Sequence, residues 1–340
     1  MDHGRKKVSI LIPCRNEVHY ISRCVKNVYD FEPPEGGFEV IVMDGLSNDG
    51  TREVLMDLRR EHQDLIIVEN PGRTVPYAMN AGVRRATGEF IIRADVRCIH
   101  PKNYIRDLVA LSEKTGADNV GGVLVPMGGT YVQNSIAAAY KSPIGMGGAL
   151  RDRGDFIGEA GAVYGGCFRR ERLLEIGMYD EDMVRNQDDE LSFRLRKSGG
   201  KVIQSGQIKV RYFPRTRLLH LFKQFLQYGY WKVRILRKHP GQASLRHLAP
   251  ALLVLGMAGL GLGALVHPEV RCGLVFWGGS YALAISLEAF RLSSKFCLRL
   301  FPGIAASIAS IHMGYGIGFI LGILNGFIGH KSKWFETLSR

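Results

Sequence analysis

Four acidic side chains stand at the ends of predicted strands or in the loops that follow them. Asp44 closes the largely apolar run 38–43, Asp95 follows the apolar run 90–92, and Glu17 and Asp49 lie in two loops. In an open parallel sheet, ligands bind outside the carboxyl ends of the strands. The four carboxylates together therefore predict one nucleotide crevice, although each alone also suits a turn or a helix cap.

Three further acids, Asp188, Asp189 and Glu190, begin a predicted helix over residues 188–197. The helix dipole alone favours acids in a first turn. The functional alternative is a general base. Sugar transfer from a nucleoside diphosphate needs a base for the acceptor hydroxyl, and a metal, Arg or Lys to neutralise the departing diphosphate. Asp95 and Asp188 would supply one carboxylate for each role if the fold brings them together.

The elements that must position these acids alternate regularly over the first 115 residues. Strands are predicted over 8–13, 38–44, 65–68 and 89–95, and helices over 17–29, 51–62, 76–86 and 101–114. This alternation is typical of right-handed crossovers, an α/β fold and a mainly parallel, Rossmann-like sheet. Because no G-x-G-x-x-G follows the first strand and no Walker sequence occurs, dehydrogenase and NTPase functions are disfavoured.

The next part of the chain is less regular. Strands are predicted over 119–125, 162–168 and 202–212, while residues 128–156 contain many glycines and are predicted to be irregular and partly mobile. Residues 217–238 form a predicted helix with one apolar and one basic side. Such a helix suits the membrane surface, and an ordinary docked helix is the alternative.

Three apolar runs, 249–266, 272–287 and 302–328, follow this basic helix. A membrane span needs about 20 apolar residues, so the middle run spans only with its flanks. Lys- and Arg-rich segments stay in the cytosol, which predicts that 217–246 and 291–299 are inside and 267–271 outside. A third full crossing would place the basic residues 330–333 outside, so the third segment either crosses as an exception or is re-entrant.

Charge and cysteine content limit the environment of the protein. The formal net charge is +13, and no Asp or Glu occurs between Leu191 and Pro268. Nucleic acid would suit this basic block, but its place before an apolar run favours anionic lipid headgroups. Six cysteines without paired spacing indicate reduced thiols, and the absence of a signal peptide predicts a cytosolic soluble part. The predicted divisions are a catalytic domain (1–214), a basic interface region (215–247), a membrane domain (248–330) and a polar tail (331–340).

Four motifs together resemble the inverting family-two glycosyltransferases of the GT-A fold. They are residues 8–17 (VSILIPCRNE), residues 44–51 (DGLSNDGT), the strand end at Asp95 and residues 187–190 (QDDE). The resemblance covers roughly residues 8–235. It is greatest to membrane-bound members typified by the succinoglycan-biosynthesis glucosyltransferases, which also carry C-terminal membrane helices.

This resemblance implies a set of donor-binding residues. The nucleoside pocket would be formed by Pro13, Asn16 and Glu17, with Asp44 near the uracil and Asp49 beside it. The ribose and diphosphate side would contain Arg73 and Asn80. Asp95 takes the place of the first acid in the D-x-D motif, and would hold a divalent Mg²⁺ or Mn²⁺ ion.

The resemblance also implies catalytic and acceptor-side residues. Asp188 matches the base of the Glu-Asp pair, but because Gln187 replaces the Glu, the base is either Asp188 or Asp189. Residues 227–231 (QYGYW) resemble the Q-x-x-R-W motif, with Gln227 and Trp231 conforming to it. Tyr230 stands in place of its Arg, which would leave the diphosphate to Lys232 or Arg234.

Arg97 occupies the position of the expected second metal ligand. The metal would then be held by Asp95, diphosphate oxygens and water, an arrangement that Mg²⁺ tolerates. Alternatively, Arg97 binds the diphosphate directly and reduces the need for a metal. Of these two interpretations, a metal held by Asp95 is favoured.

The resulting prediction is a multi-pass enzyme of the cytoplasmic membrane with its catalytic domain in the cytosol. It would transfer a hexose, with inversion, from a nucleotide sugar such as a UDP-hexose. The acceptor would be a polyprenyl-diphosphate-linked glycan or a growing polysaccharide, with no nucleic-acid partner. A polyprenyl-phosphate sugar synthase and a non-catalytic scaffold are the alternatives. A processive, extruding synthase is disfavoured because three apolar segments are too few to line a channel.

Overall fold

A computed structural model describes residues 7–146, 154, 156–242 and 244–328. The strands are β1 (Val8–Cys14), β2 (Phe38–Asp44), β3 (Ile66–Glu69), β4 (Phe90–Arg93), β5 (Cys98–Ile99), β6 (Asn119–Pro126), β7 (Ile157–Glu159), β8 (Tyr164–Arg169) and β9 (Val202–Tyr212). The helices are α1 (Ile21–Tyr29), α2 (Thr51–Glu61), α3 (Val75–Arg85), α4 (Tyr104–Thr115), α5 (Tyr131–Tyr140), α6 (Pro143–Met146), α7 (Arg170–Glu175), α8 (Gln187–Lys197), α9 (Leu218–Lys238), α10 (Leu245–Val266), α11 (Val270–Phe296) and α12 (Phe301–Ile328).

The chain divides into two units. The first comprises Met1–Val125 and Arg151–Tyr212, and the second Pro126–Leu150 and Phe213–Arg340. Residues 126–150, which the sequence assigns to the catalytic domain, are grouped with the second unit, and the other predicted divisions stay predictions.

One mixed sheet organises the first unit, in the order β3-β2-β1-β4-β8-β6-β9-β5, with β7 alongside β9. The first four strands of this order are parallel, as predicted, and their register aligns Cys14 with Asp44 and Asp44 with Glu69. The pairings of β4 with β8, β6 with β8, β5 with β9 and β7 with β9 are antiparallel. The α/β fold class is confirmed, and these parallel pairings lie in the half of the sheet built by the regular strand–helix alternation.

Both faces of the parallel half are covered, which explains its nearly continuous apolar runs. Side chains alternate between the faces along each strand. Ile10 and Ile12 of β1 belong to one buried cluster, which includes Val25 of α1. Leu11 belongs to the other cluster, which includes Met79 of α3. This packing fixes the strand ends from which the acidic side chains emerge.

Three helices of the second unit are long and apolar enough to cross a membrane: Leu245–Val266, Val270–Phe296 and Leu298–Gly326. The middle helix is longer than the predicted apolar run 272–287, because the residues on both sides of that run are also helical.

Helix α9 packs closely along α12 through a row of glycines four residues apart. A Cβ on Gly314 would lie 2.6 Å from the Phe222 oxygen, and one on Gly318 only 1.9 Å from the Leu226 oxygen. Small residues in such rows allow helix backbones to approach closely. The predicted basic helix is therefore docked on one side within its own unit, and its place at a membrane surface stays a prediction.

Residues 128–156 contain more regular structure than predicted. Helix α5 begins after Thr130, whose Oγ1 accepts a hydrogen bond from the Gln133 backbone N–H at 3.2 Å. Within the second unit, the Tyr131 hydroxyl donates to the Arg299 carbonyl at 3.1 Å. The expectation of an irregular segment is therefore wrong for α5 and α6, where small apolar residues between the glycines pack well. Residues 147–153 and 155 lie outside the described residues.

Candidate active site

Hydrogen bonds join the loops that follow β1 and β2. The Asn16 N–H donates to Ser47 Oγ at 2.8 Å, and the Glu17 N–H donates to Thr51 Oγ1 at 2.8 Å. In return, the Asn48 N–H donates to Asn16 Oδ1 at 3.0 Å. The sequence folds this way because short hydroxyl and amide side chains readily satisfy turn backbone groups. Two of the predicted donor-binding residues, Asn16 and Glu17, are therefore fixed against the next loop.

Asp44 and Asp49 differ in what their carboxylates contact. Asp44 is buried, and its Oδ1 accepts a 2.5 Å hydrogen bond from the Ser47 hydroxyl. Asp49 accepts from the Thr51 hydroxyl at 2.5 Å and from the Val18 N–H at 3.3 Å. Burial raises the pKa of Asp49, but the hydrogen bonds together outweigh burial and the pKa lies below its usual value. Asp49 thus stabilises the turn itself, whereas Asp44 lies at the end of β2.

The other three residues predicted to bind the donor have different surroundings. Pro13 lies within β1, paired with Met43. Arg73 is exposed in the loop before α3, at a positive φ of 58°. Asn80 is buried, and its amide both donates to the Tyr179 carbonyl and accepts from the Tyr179 N–H, each at 2.9 Å. Asn80 therefore holds the segment before α8 in place through its own side chain.

The structure brings Asp95 and Asp188 together through one guanidinium. Arg93 Nε donates to Asp95 Oδ1 at 2.8 Å, and Arg93 Nη1 donates to both oxygens of Asp188 at 3.0 and 3.1 Å. The other Asp95 oxygen accepts from the Tyr164 hydroxyl at 2.8 Å. The two carboxylates proposed from sequence for the donor side and for the base are therefore neighbours in one charge cluster.

The three consecutive acids of α8 have different surroundings. Glu190 is fully buried and pairs with Arg194 Nε at 2.9 Å. The side chain of Asp188 is 36% exposed, so a substrate can reach it. Burial raises the pKa of Asp188, while Arg93 opposes the rise. Asp189 is half-buried. Of the three, Asp188 combines solvent access with a fixed orientation.

Arg97 lies two residues after Asp95, at the position of the expected second metal ligand. Its side chain pairs with an acid. Its Nε donates to Glu17 Oε2 at 3.0 Å, and its guanidinium lies 5.1 Å from the Tyr20 ring centroid. Glu17 and Arg97, both predicted near the donor, are thus joined. The guanidinium of Arg97 is therefore held just beyond the carboxyl end of β4. In this architecture, ligands bind at that edge of the sheet.

Asp95 is the side chain predicted from the sequence to hold a metal ion. Among the described residues, no group of three or more His, Cys, Asp or Glu is arranged to hold a metal ion. Each Asp95 oxygen has one hydrogen-bond donor and retains further lone pairs. Mg²⁺ is commonly bound by one or two carboxylates together with substrate phosphates and water. These residues therefore fit a metal ion that binds together with the phosphates of a nucleotide.

The predicted acceptor-side residues lie on α9, in the second unit. Gln227 and Trp231 are buried, and Lys232 is half-buried. The Tyr230 hydroxyl accepts a hydrogen bond from Asn325 Nδ2 of α12 at 2.8 Å. Within the unit, the guanidinium of Arg234 lies 5.2 Å from the Trp231 ring. The part these residues play toward a diphosphate or an acceptor stays a prediction.

Arg93 is the functional candidate that sequence reasoning missed. It ends the strand FIIR, in which all four residues are buried. A charged residue in an apolar strand is a recognisable signal, because a buried charge must be paired. Its partners, however, come from different parts of the chain and only the fold identifies them.

Comparison with known proteins identifies the family of this chain. The family described as "Glycosyl transferase family 2" matches residues 9–176. The chain is 31% identical to succinoglycan biosynthesis protein ExoA of Rhizobium meliloti over 259 residues, 76% of this chain and 77% of that protein. It is 24% identical, over 94% of its length and 98% of the relative's, to dolichyl N-acetyl-α-D-glucosaminyl phosphate 3-β-D-2,3-diacetamido-2,3-dideoxy-β-D-glucuronosyltransferase of Methanococcus voltae.

The fold is similar to that of a solved glycosyltransferase. Mannosyltransferase PcManGT from Pyrobaculum calidifontis, solved in complex with GDP-Man and Mn²⁺, superposes with a TM-score of 0.59 at 19% identity. The match covers 94% of this chain and 88% of that one. These findings confirm the family and the fold that the four motifs predicted. The chain belongs to glycosyl transferase family 2 and has its GT-A fold.

Proposed function

We propose that this protein transfers a hexose, with inversion, from a nucleotide sugar to a lipid-linked or growing polysaccharide acceptor. The observation that carries the proposal is the joining of Asp95 and Asp188 by Arg93, with contacts of 2.8 to 3.1 Å. In this proposal Asp95, as the donor-side carboxylate, and Asp188, as the base, act at one site. We further propose a UDP-hexose as the donor, with Asp44 near the base.

Asp188 is the general base of this mechanism. The acceptor hydroxyl attacks the anomeric carbon from the face opposite the diphosphate, and Asp188 accepts the hydroxyl proton as the bond to the diphosphate breaks. A carboxylate offers about four lone-pair sites. Arg93 occupies one on each oxygen, which leaves lone pairs for the proton. Because burial raises the pKa of Asp188, its affinity for that proton is greater than that of an ordinary aspartate.

The negative charge of the leaving diphosphate needs a positive partner. Arg97 follows Asp95 on the same loop and is partly exposed, so it suits this role once a diphosphate competes with Glu17. A Mg²⁺ or Mn²⁺ ion held by Asp95 would, when bound, neutralise further charge on the diphosphate.

The three apolar helices and the basic α9 support an acceptor presented at a membrane. The names of two relatives mention succinoglycan biosynthesis and a dolichyl-phosphate-linked sugar. We propose that the catalytic unit lies on the cytosolic side of the cytoplasmic membrane. This orientation follows from the concentration of Lys and Arg in residues 217–246 and 291–299.

The test uses full-length protein in lipid nanodiscs, supplied with single nucleotide sugars, polyprenyl phosphate and lipid-linked glycan acceptors. We expect turnover of one UDP-hexose and an extended lipid-linked glycan. A sugar monophosphate lipid as the product would instead identify a polyprenyl-phosphate sugar synthase. Absence of turnover with every donor, in Mg²⁺ and in Mn²⁺, would contradict the proposal and favour a scaffold.

The same assay in excess chelator separates the two interpretations of Arg97. Loss of turnover, restored by added Mn²⁺, is expected if Asp95 holds a metal. Full turnover in chelator that is lost in Arg97→Gln would assign the diphosphate to the arginine alone.

A further inference from the structure

The buried Arg93 has more acidic partners than its own charge requires. Only 8% of its surface is exposed, and a buried arginine needs a counter-charge. One carboxylate would provide it, yet Arg93 contacts Asp95 with Nε and Asp188 with Nη1. Two acids on one cation leave the cluster with a net negative charge. Charge compensation of Arg93 alone therefore does not require the second acid.

The backbone that carries Arg93 is firmly held. The residue ends β4, where it is paired with Leu11 of β1. Asp95 is fixed on its other oxygen by Tyr164 of β8, at 2.8 Å. The guanidinium therefore projects from a rigid strand, beside a carboxylate that is itself rigid.

Asp188 depends on Arg93 for its orientation. Among the residues that the structure describes, Arg93 supplies both hydrogen bonds to this carboxylate. The rest of α8 is anchored separately, because Arg194, which pairs with Glu190 within the helix, also donates to the Ile176 and Met178 carbonyls outside it. The helix is thus held by one arginine and the carboxylate of Asp188 by another.

From this geometry, and resting on the proposed function, we propose that Arg93 is a positioning residue for sugar transfer. It sets the orientation of the base Asp188 relative to the donor-side carboxylate Asp95. The planar guanidinium presents different N–H edges to the two acids at fixed angles. A lysine ammonium has one nitrogen and cannot reproduce these two directions, although it keeps the charge. The role therefore depends on geometry as well as on charge.

The test compares Arg93→Lys and Arg93→Ala with wild type in the nanodisc transfer assay. In Arg93→Lys we expect kcat to fall about 100-fold, the loss typical of a small displacement of a reacting group, with donor KM changed by less than about threefold. In Arg93→Ala, millimolar guanidinium should restore part of the lost kcat, and it should not restore Asp188→Asn. Arg172→Lys is the matched control, because Arg172 also pairs with two acids, Asp118 and Glu175, and should keep wild-type kcat.

The outcomes separate this inference from the proposed function. Wild-type turnover with an unchanged kcat in Arg93→Lys overturns the inference and leaves the function standing. A fall in kcat that follows the loss of thermal stability, with no rescue by guanidinium, shows a purely structural arginine and also overturns it. A wild type that turns over no nucleotide sugar overturns both.

Discussion

The three consecutive acids of α8 should separate into one catalytic, one dispensable and one structural residue. We consider Asp188→Asn, Asp189→Asn and Glu190→Gln, three substitutions that each remove one charge and keep the side-chain shape. Their surroundings differ sharply. Asp188 is partly exposed and faces Arg93, whereas Glu190 is fully buried against Arg194. Activity and stability should therefore respond to different members of the series.

Loss of a general base typically lowers the rate by 10²–10⁴-fold. We therefore expect Asp188→Asn to lose about 100-fold or more in kcat. Its fold should persist, because Arg93 keeps Asp95 as a charged partner and the asparagine oxygen can still accept a hydrogen bond. Asp189→Asn should keep a kcat close to that of wild type, because Asp188 remains to act as the base.

Glu190→Gln should act on stability instead. Removing one partner of a buried ion pair costs about 3–5 kcal/mol. Arg194 keeps hydrogen bonds to the Ile176 and Met178 carbonyls, so we expect the lower end, roughly 3 kcal/mol. In a unit of this size each kcal/mol lowers Tm by about 2–4 °C, which predicts a fall of about 6–12 °C.

Two measurements on each variant decide the matter: initial rates of transfer at saturating donor, and thermal unfolding in the same nanodiscs. The assignment of the base fails if Asp188→Asn keeps more than about a tenth of wild-type kcat, given the size of general-base effects. It moves to the neighbouring acid if Asp189→Asn alone is inactive. A Glu190→Gln protein as stable as wild type would show that the buried pair contributes nothing.

Two further predictions concern stability. Burial lowers the pKa of His100 to about 4 from 6.5, so the unfolded state binds its proton first as the pH falls. Wild type should lose roughly 3 kcal/mol relative to His100→Phe between pH 6.5 and about 4, measured by thermal unfolding against pH, and parallel curves would contradict this. In the second unit, Gly318→Ala forces a Cβ toward the Leu226 oxygen and should destabilise the α9–α12 contact by at least about 1–3 kcal/mol. Gly279→Ala, with open space around it, is the control, and equal Tm values for the two variants would refute the packing argument.

Much of the first unit was predictable because its signals are local. Apolar runs and the turn residues after them located the strands that end at Asp44 and near Asp95. The regular alternation with helices then implied that these ends share one edge of a parallel sheet. The antiparallel half was not predictable in the same way, since its strand order depends on long connections whose path no local pattern encodes.

The contacts that give the site its chemistry were beyond sequence reasoning. No local pattern indicates that the amide of Asn80, a residue predicted on the donor side, also holds Tyr179 far along the chain. Arg93 could not be identified from the sequence, because its role depends on contact with Asp188. Only the fold brings these two residues together. The same holds for Gly318, whose spacing becomes informative once α9 is known to lie against it.

The anomeric configuration of the transferred sugar tests the central claim most directly. A single base, Asp188, acting opposite the diphosphate predicts one displacement and therefore one inversion. NMR of the glycan formed by wild-type protein from a donor of known configuration gives the answer. We expect the configuration opposite to that of the donor, and a product with retained configuration would contradict this mechanism.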